Sequence, residues 1–375
     1  MKGLKNYLPN LASDTSGACS ALFESGGLIV IHDAAGCMEN YLCYEEPRMF
    51  GSSSLIFSSG LGHLEAAMGD DGILLEKLCS SSRELEPEFI AIIGSPVPYT
   101  IGTDLEGIAS EAEAETGIPS FAVSCGGFSD YSSGAAEAMK KLIHRLAIPS
   151  SERRGEFTVN LLGATPLDFS LSELAYIKNM LEKHGNMKIK TPFMGTSAKD
   201  AANADANLVI SASGFAAARY MKERFNIPYV CGLPIKEDQA KSIAAALRGK
   251  DVEPINISGK PEILVIGESV FAASLARAIF LETGKSAAIA TVGMNDDELL
   301  DGAAHIKAKN EEVISAELAR GYFLAVGDPL YRALLPERSE CAFIDRPHSA
   351  LSSHLFLKPE SGFEDIISKI KEKVQ

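Results

Sequence analysis

Three of the seven cysteines fall early and close together: Cys19 in SGACSAL, Cys37 in HDAAGCMEN and Cys43 in NYLCYEE. Thiolates ligate soft metals and iron–sulfur clusters, and a cluster usually takes four. One chain offers two or three here. A twofold dimer would add the same pair again, so that Cys19 and Cys37 from each subunit make a set of four at the interface. On spacing alone, inert cysteines packed beside glycine are the commoner outcome, because cysteine serves readily as a small apolar filler. Gly36, just before Cys37, would let the backbone turn sharply or approach a bulky ligand. Two further stretches could face a ligand or simply connect elements: FIAIIGSPVPYTIGTDLEGIASE (89–111), with a stiff double-proline loop and Thr103 or Asp104 as a helix cap, and FAVSCGGFSDYSSG (121–134), with Cys125 before two glycines. Cys79, in a helical pattern, and Cys341, at the start of a strand, suit packing, while Cys231 has no assigned role.

These residues must be positioned by strands. Short runs rich in Val, Ile and Phe occur at Leu28–His32, Phe89–Gly94, Ser120–Val123, Phe157–Leu162, Asn207–Ser211, Tyr229–Cys231, Glu262–Ile266, Ser286–Thr291, Tyr322–Val326 and Ala342–Ile344. Continuous apolar runs of this length predict strands buried on both faces. Between them, Asp104–Glu115, Ser133–Leu146, Leu171–Lys183 and Val270–Glu282 carry apolar residues at helical spacing. Alternation of the two patterns predicts an α/β fold built from parallel sheets. The pattern restarts after polar links near 150–156 and 249–261, which suggests three Rossmann-like, doubly wound domains over residues 1–155, 156–255 and 256–375. An internal echo, EAETGIPSFAVSC (113–125) against KERFNIPYVCG (222–232), fits either a repeat or the ordinary helix–Pro–strand connection. Ligands in such sheets bind at the carboxyl ends of the strands, which is where Cys37, the GSPVP loop and Cys125 fall.

Composition narrows the function classes. With 35 basic and 50 acidic side chains the net charge is −15, and no basic run stands out, which argues against nucleic acid as a partner. At 46% hydrophobic and 23% charged residues the chain is an ordinary globular one. No run of about 18 apolar residues and no signal-peptide core appears, so a cytoplasmic protein with reduced cysteines and no membrane span is expected. A Gly-x-Gly-x-x-Gly fingerprint, a phosphate loop of the Gly-x-x-x-x-Gly-Lys type and a Gly-x-Ser-x-Gly elbow are all absent, so dinucleotide binding, ATP hydrolysis and serine-hydrolase chemistry lack support. The seven histidines are scattered; His348 and His354 lie in a polar stretch.

HDAAGC (32–37) followed by GSPVPYTIGTDLEGIASEAEAETGIPSFAVSCGGFS (94–129) resembles the nitrogenase component 1 family. That family includes the nitrogenase cluster protein, dark-operative protochlorophyllide reductase and nickel-sirohydrochlorin reductive cyclase. Its members read Gly-Pro-x-Gly-Cys, then Ser-Thr-Cys-x-x-x-x-Ile-Gly-Asp-Asp, then a helix ending Thr-Gly-Ile-Pro before a strand. The likeness covers residues 19–130 well and the later segments 206–232 and 325–347 more loosely. It implies three Rossmann-like domains, an iron–sulfur cluster at a subunit interface and electrons from a separate ATP-dependent P-loop iron–sulfur reductase. Cys19 and Cys37 match the family's first two cluster cysteines. The third falls where this chain has Pro96, which argues against a large double cluster. It leaves a single [4Fe–4S] held by two cysteines from each of two subunits, homodimeric or paralogous, or by these with Cys43. The family's cofactor cysteine falls in LVISAS (208–213), which has none, and Asp345 lies near the place of its cofactor histidine. Reduction of N₂ is therefore not expected. The resemblance implies an oxidoreductase acting on an unidentified substrate, a tetrapyrrole or a small thioether-like molecule bound between domains. A non-catalytic scaffold for metal-cluster maturation and a metal-free ligand-binding protein are the alternatives.

Overall fold

A computed structural model describes residues 7–49, 54–150, 155–193, 198–252, 259–295, 305–353, 355 and 362–374; the side chains of Cys37, Glu39 and Asn40 are outside this set, as is His354. The links expected near 150–156 and 249–261 also lie partly outside it. The first run of elements is α1 (Asp14–Leu22), β1 (Leu28–Ile31), α2 (Cys37–Tyr44), β2 (Leu55–Ser58), α3 (His63–Met68), α4 (Gly72–Leu85), β3 (Ile90–Ile93), α5 (Pro96–Ile101), α6 (Leu105–Thr116), β4 (Ser120–Val123) and α7 (Tyr131–Leu146). The second is β5 (Thr158–Leu162), α8 (Leu171–Gly185), β6 (Lys188–Lys190), β7 (Ala206–Val209), α9 (Phe215–Phe225), β8 (Tyr229–Cys231) and α10 (Glu237–Leu247). The third is β9 (Ile263–Gly267), α11 (Ser269–Thr283), β10 (Ala287–Thr291), β11 (His305–Lys307), α12 (Glu311–Leu318), β12 (Leu324–Gly327), β13 (Ala342–Asp345), α13 (Ser349–Ser352) and α14 (Phe363–Val374).

Among the described residues these strands form three sheets, ordered β2-β1-β3-β4, β6-β5-β7-β8 and β11-β10-β9-β12-β13, with every pairing parallel. In each, the chain leaves the first strand to one side and later returns to its other side. The strand order therefore reverses between β1 and β3, β5 and β7, and β9 and β12, and crevices for ligands open at the carboxyl ends of those pairs. The central strands are fully buried and largely apolar, as a parallel sheet covered by helices requires. One buried apolar cluster runs from Ala18 and Phe23 through Leu161 and Val209 to Val326 and Ile370, so the three sheets share a core. No helix among the described residues is long and apolar enough to cross a membrane.

Three strands, β2, β6 and β11, are missing from the apolar runs found in the sequence, and each is a sheet edge. Edge strands are covered on fewer sides. Phe57 is exposed, and β6 and β11 each begin on an exposed residue, so the apolar run that marks a central strand is absent. The GSPVP stretch is likewise no loop: Pro96 opens α5 at the first helical position, where its missing N–H costs nothing. Cys37 opens α2 rather than sitting in a tight loop. Gly36 precedes it with an ordinary helical φ of −72° and with nothing within 4 Å of where a Cβ would be, so no sharp turn demands glycine there.

Two glycines do decide the architecture. A Cβ on Gly17 would collide with the carbonyl of Tyr131, and one on Gly134 with the carbonyl of Asp14. Helices α1 and α7 therefore cross backbone to backbone. Asp14 strengthens the junction by accepting hydrogen bonds from Gly126 N (3.2 Å) and Gly127 N (2.9 Å), just after β4.

Candidate functional site

Cys19 sits on α1 and is 0% exposed, enclosed in the core. Burial pushes its thiol well above the usual value, and Cys125 and the carboxylates of Glu46 and Glu45 push the same way. Close by lies a buried ion pair. Arg48 donates from Nε to Glu46 Oε1 and from Nη2 to Glu46 Oε2, both at 2.7 Å, and from Nη2 to Ser20 O at 2.7 Å. Tyr41 adds a hydrogen bond to Glu46 Oε2 at 2.9 Å. Cys43 is exposed on α2, and Cys125 is buried at the end of β4 with its thiol raised by burial and by Asp14. The side chain of Cys37 falls outside the described residues. A cluster needs thiolates facing one another across a boundary. Cys19 is enclosed within this chain and lies near two carboxylates. Among the described residues no group of three or more His, Cys, Asp or Glu could hold a metal ion.

A second constellation forms where the carboxyl ends of the second and third sheets meet the start of α7. Tyr131, the first residue of α7, donates its hydroxyl proton to Asp168 Oδ1, beyond β5. Thr165 Oγ1 donates to Asp168 Oδ2 at 3.1 Å. His348, which follows β13, places Nε2 at 3.4 Å from both Asp168 Oδ1 and the Tyr131 oxygen. Glu268 caps α11: its carboxylate receives Val270 N and Phe271 N at 3.0 Å, and from the second sheet Ala212 N at 2.9 Å. Burial raises the Glu268 carboxyl to about 7, with the Asp168 charge adding to it, against those three N–H donors. Burial and then Asp168 hold the Tyr131 phenol well above its ordinary range. Arg346 Nη2 meets Glu173 Oε1 at 3.0 Å, and Asp328 receives His348 N at 2.8 Å and Ser352 Oγ at 2.7 Å. A cavity of about 20 Å³ lies among Asp168, Glu268, Asp328, Tyr331, Arg346 and His348. That is room for about one water. His348 Nδ1 and Arg346 Nε, both buried, make no hydrogen bond among the described residues.

By residue pattern alone this group does not stand out, and His348 is one of several scattered histidines. A signal was present: the segments that follow β5, β9, β12 and β13 read GATPLD, ES, DP and RPH, each bringing a charged or titratable residue to a carboxyl edge. Each also reads as an ordinary helix cap or turn, so nothing local tells the two apart.

Chemically, the group can hold and pass protons near neutral pH, which a carboxyl at about 7 beside a tyrosine, a histidine and a second carboxylate permits. The model of the nitrogenase component 1 type oxidoreductase family matches residues 15–249. The nitrogenase iron-molybdenum cofactor biosynthesis protein NifE of Sinorhizobium fredii is 28% identical over 231 residues, 58% of this chain and 45% of that protein. The chain thus spans about half the length of this curated relative. Two solved structures, nitrogenase Cp1 at pH 6.5 and at pH 5, superpose with TM-scores of 0.69 and 0.65 at 14% and 16% identity. They cover all of this chain and 94% and 89% of theirs, a likeness of fold. With a family match over more than half its length and the same fold throughout, the chain belongs to the nitrogenase component 1 type oxidoreductase family.

Proposed function

We propose that the chain is a subunit of a nitrogenase component 1 type oxidoreductase that reduces a small molecule where its three sheets meet. One observation carries the proposal. Glu268, whose buried carboxyl is pushed up to about 7, stands with Tyr131, Asp168 and His348 around a small cavity at the carboxyl edges of the sheets. Reductions consume protons together with electrons, and a general acid works best with its pKa near the operating pH. Glu268 is the proton donor in this scheme. Asp168, tied to Tyr131 and His348, raises the Glu268 pKa by its charge and orients His348. Arg346 offers an N–H to the cavity, whose volume of about 20 Å³ admits a water that can carry the proton rather than the substrate itself. The enclosing apolar walls keep bulk water away.

Electrons come, in this proposal, from a separate ATP-dependent iron–sulfur reductase, in a homodimer or a pair with a paralogous subunit, in the cytoplasm. Cys19 and Cys37 are the positions proposed for an interfacial [4Fe–4S] cluster, completed by the same residues of a partner, with Gly36 beside it and Cys43 as a spare ligand. When bound, such a cluster supplies single electrons. The enclosed Cys19 requires α1 and α2 to open on assembly. That requirement, with the likeness to the NifE biosynthesis protein, favours a second reading: a scaffold for cluster maturation without turnover.

Anaerobic reconstitution with iron and sulfide tests both. About four irons per dimer, lost in Cys37→Ala and in Cys19→Ala, is the expected result. No bound iron in the wild type removes the cluster and leaves a metal-free ligand-binding protein. If Glu268→Gln keeps its iron but no longer turns over with the reductase, the oxidoreductase reading holds; a protein that binds iron yet never turns over is the scaffold.

A further inference from the structure

A second cavity lies apart from the one beside Glu268. A chamber of about 410 Å³ opens at the carboxyl ends of β10 and β11. Small-molecule sites commonly measure about 300–1,000 Å³. Three separate parts of the chain build it. The segment Leu8–Leu11 forms the outer wall. This segment is held at one end by Glu311 Oε2, which receives Tyr7 N and Leu8 N at 3.1 Å. At the other end Ala12 N donates to Ala350 O at 2.6 Å and Tyr131 N donates to Ala12 O at 2.8 Å. The ends of β10 and β11 form the floor, and the first turn of α12 closes the third side.

The lining has a definite chemistry. Leu8, Leu11, Ile314, Tyr331 and Leu351 make an apolar wall. Lys307 and Lys309, two residues apart, both border the chamber beside the positive end of α12. Its two acids are already engaged by donors: Asp130 by Ser132 N at 3.0 Å and by the Ser132 hydroxyl, Glu311 by the backbone of the outer wall. Asn295 donates from Nδ2 to Gly293 O at 3.1 Å, while its Oδ1 is buried and accepts nothing among the described residues. An unmet buried acceptor is costly unless a ligand or water supplies a donor.

We infer that this chamber binds a small carboxylic acid with an apolar body and a hydrogen-bond donor beside the carboxylate, a hydroxy or amino acid. The carboxylate lies against Lys307 and Lys309, the donor meets Asn295 Oδ1, and the apolar body fills the space against Leu8, Leu11, Ile314 and Leu351. The site needs neither metal nor electrons, so it stands apart from the redox proposal. Val292 and Tyr331 line both this chamber and the cavity beside Glu268, which sets a bound molecule next to the proton-holding group.

The test is a calorimetric titration of the whole chain with 2-hydroxyoctanoate, octanoate and octylamine. The hydroxy acid should bind once per chain, octanoate several-fold more weakly for want of the donor, and octylamine not at all. Lys307→Ala with Lys309→Ala, both at exposed positions, should weaken 2-hydroxyoctanoate about tenfold or more. Ala308→Phe, which fills the chamber, should abolish binding, with circular dichroism and melting to check that it folds. No heat from the hydroxy acid, equal binding of octylamine, or unchanged affinity in the lysine variant would overturn the inference. Iron content in the same samples is expected to stay as in the wild type, so a failure here and a failure of the cluster are told apart.

Discussion

The Tyr131 hydroxyl donates to Asp168 Oδ1, and this bond joins the first residue of α7 to the segment after β5. It brings a phenol from beside the first sheet to a carboxylate from beyond the second, with His348, just past the third sheet's β13, at 3.4 Å from both. Tyr131→Phe should lower stability by about 1–3 kcal/mol, the usual cost of stranding a buried polar partner. Asp168→Asn should cost less in the Tyr131→Phe background than alone, because the two share one interaction. Urea unfolding of the four proteins of the cycle measures it; strictly additive losses would mean the bond contributes nothing.

Glu268 makes stability depend on pH in an unusual direction. Its folded value of about 7 lies above the unfolded carboxyl value, about 4.3. The folded state therefore binds a proton that the unfolded state releases between those limits. The stabilising contribution is full below about pH 4 and is lost as pH rises through 7, by on the order of 3 kcal/mol. The stability of the wild type relative to Glu268→Gln should accordingly fall between pH 5 and pH 8. A difference that does not move with pH would show that Glu268 is ionised throughout.

The crossing of α1 and α7 predicts a sharp penalty for one methyl group. Gly17→Ala or Gly134→Ala places a Cβ against a backbone carbonyl, which no rotamer change can relieve, and should cost about 1–3 kcal/mol or more. Because Cys19 lies two residues beyond Gly17, the forced separation should also expose its thiol. Cys19 should react slowly with a disulfide reagent in the native wild type and faster in either variant; equal labelling rates would contradict the close crossing.

The Arg48–Glu46 pair, with side chains 3% and 0% exposed, should behave as a buried ion pair. Burial alone would lower the Arg48 pKa, yet the bonds from Glu46 more than reverse this and raise it. Arg48→Met leaves the Glu46 carboxylate buried without its cation and should cost about 3–5 kcal/mol, while adding Glu46→Leu should recover much of the loss. Arg48→Lys should not rescue, since an ammonium cannot serve both carboxylate oxygens and Ser20 O at once. Melting temperatures of the three variants decide it.

Much of the fold was legible because its central strands are buried on both faces. Ile90–Ile93 and Ile263–Gly267 had to be apolar, and so they announce themselves. His305–Lys307 had no such obligation at the sheet edge, and its composition is that of a loop. The cysteines drew notice by residue type, but type carries no burial: the structure encloses Cys19 and exposes Cys43, and nothing in their flanking residues separates the two.

From its residues alone the chain specified parallel α/β layering and membership of a recognisable lineage, because hydrophobic periodicity and ordered motifs are local properties. Only the packing of three sheets could place Tyr131 beside His348, 217 residues away, and both beside Asp168. The raised pKa of Glu268 is a consequence of that packing. It depends on burial and on a neighbouring charge, neither of which exists until the chain has folded.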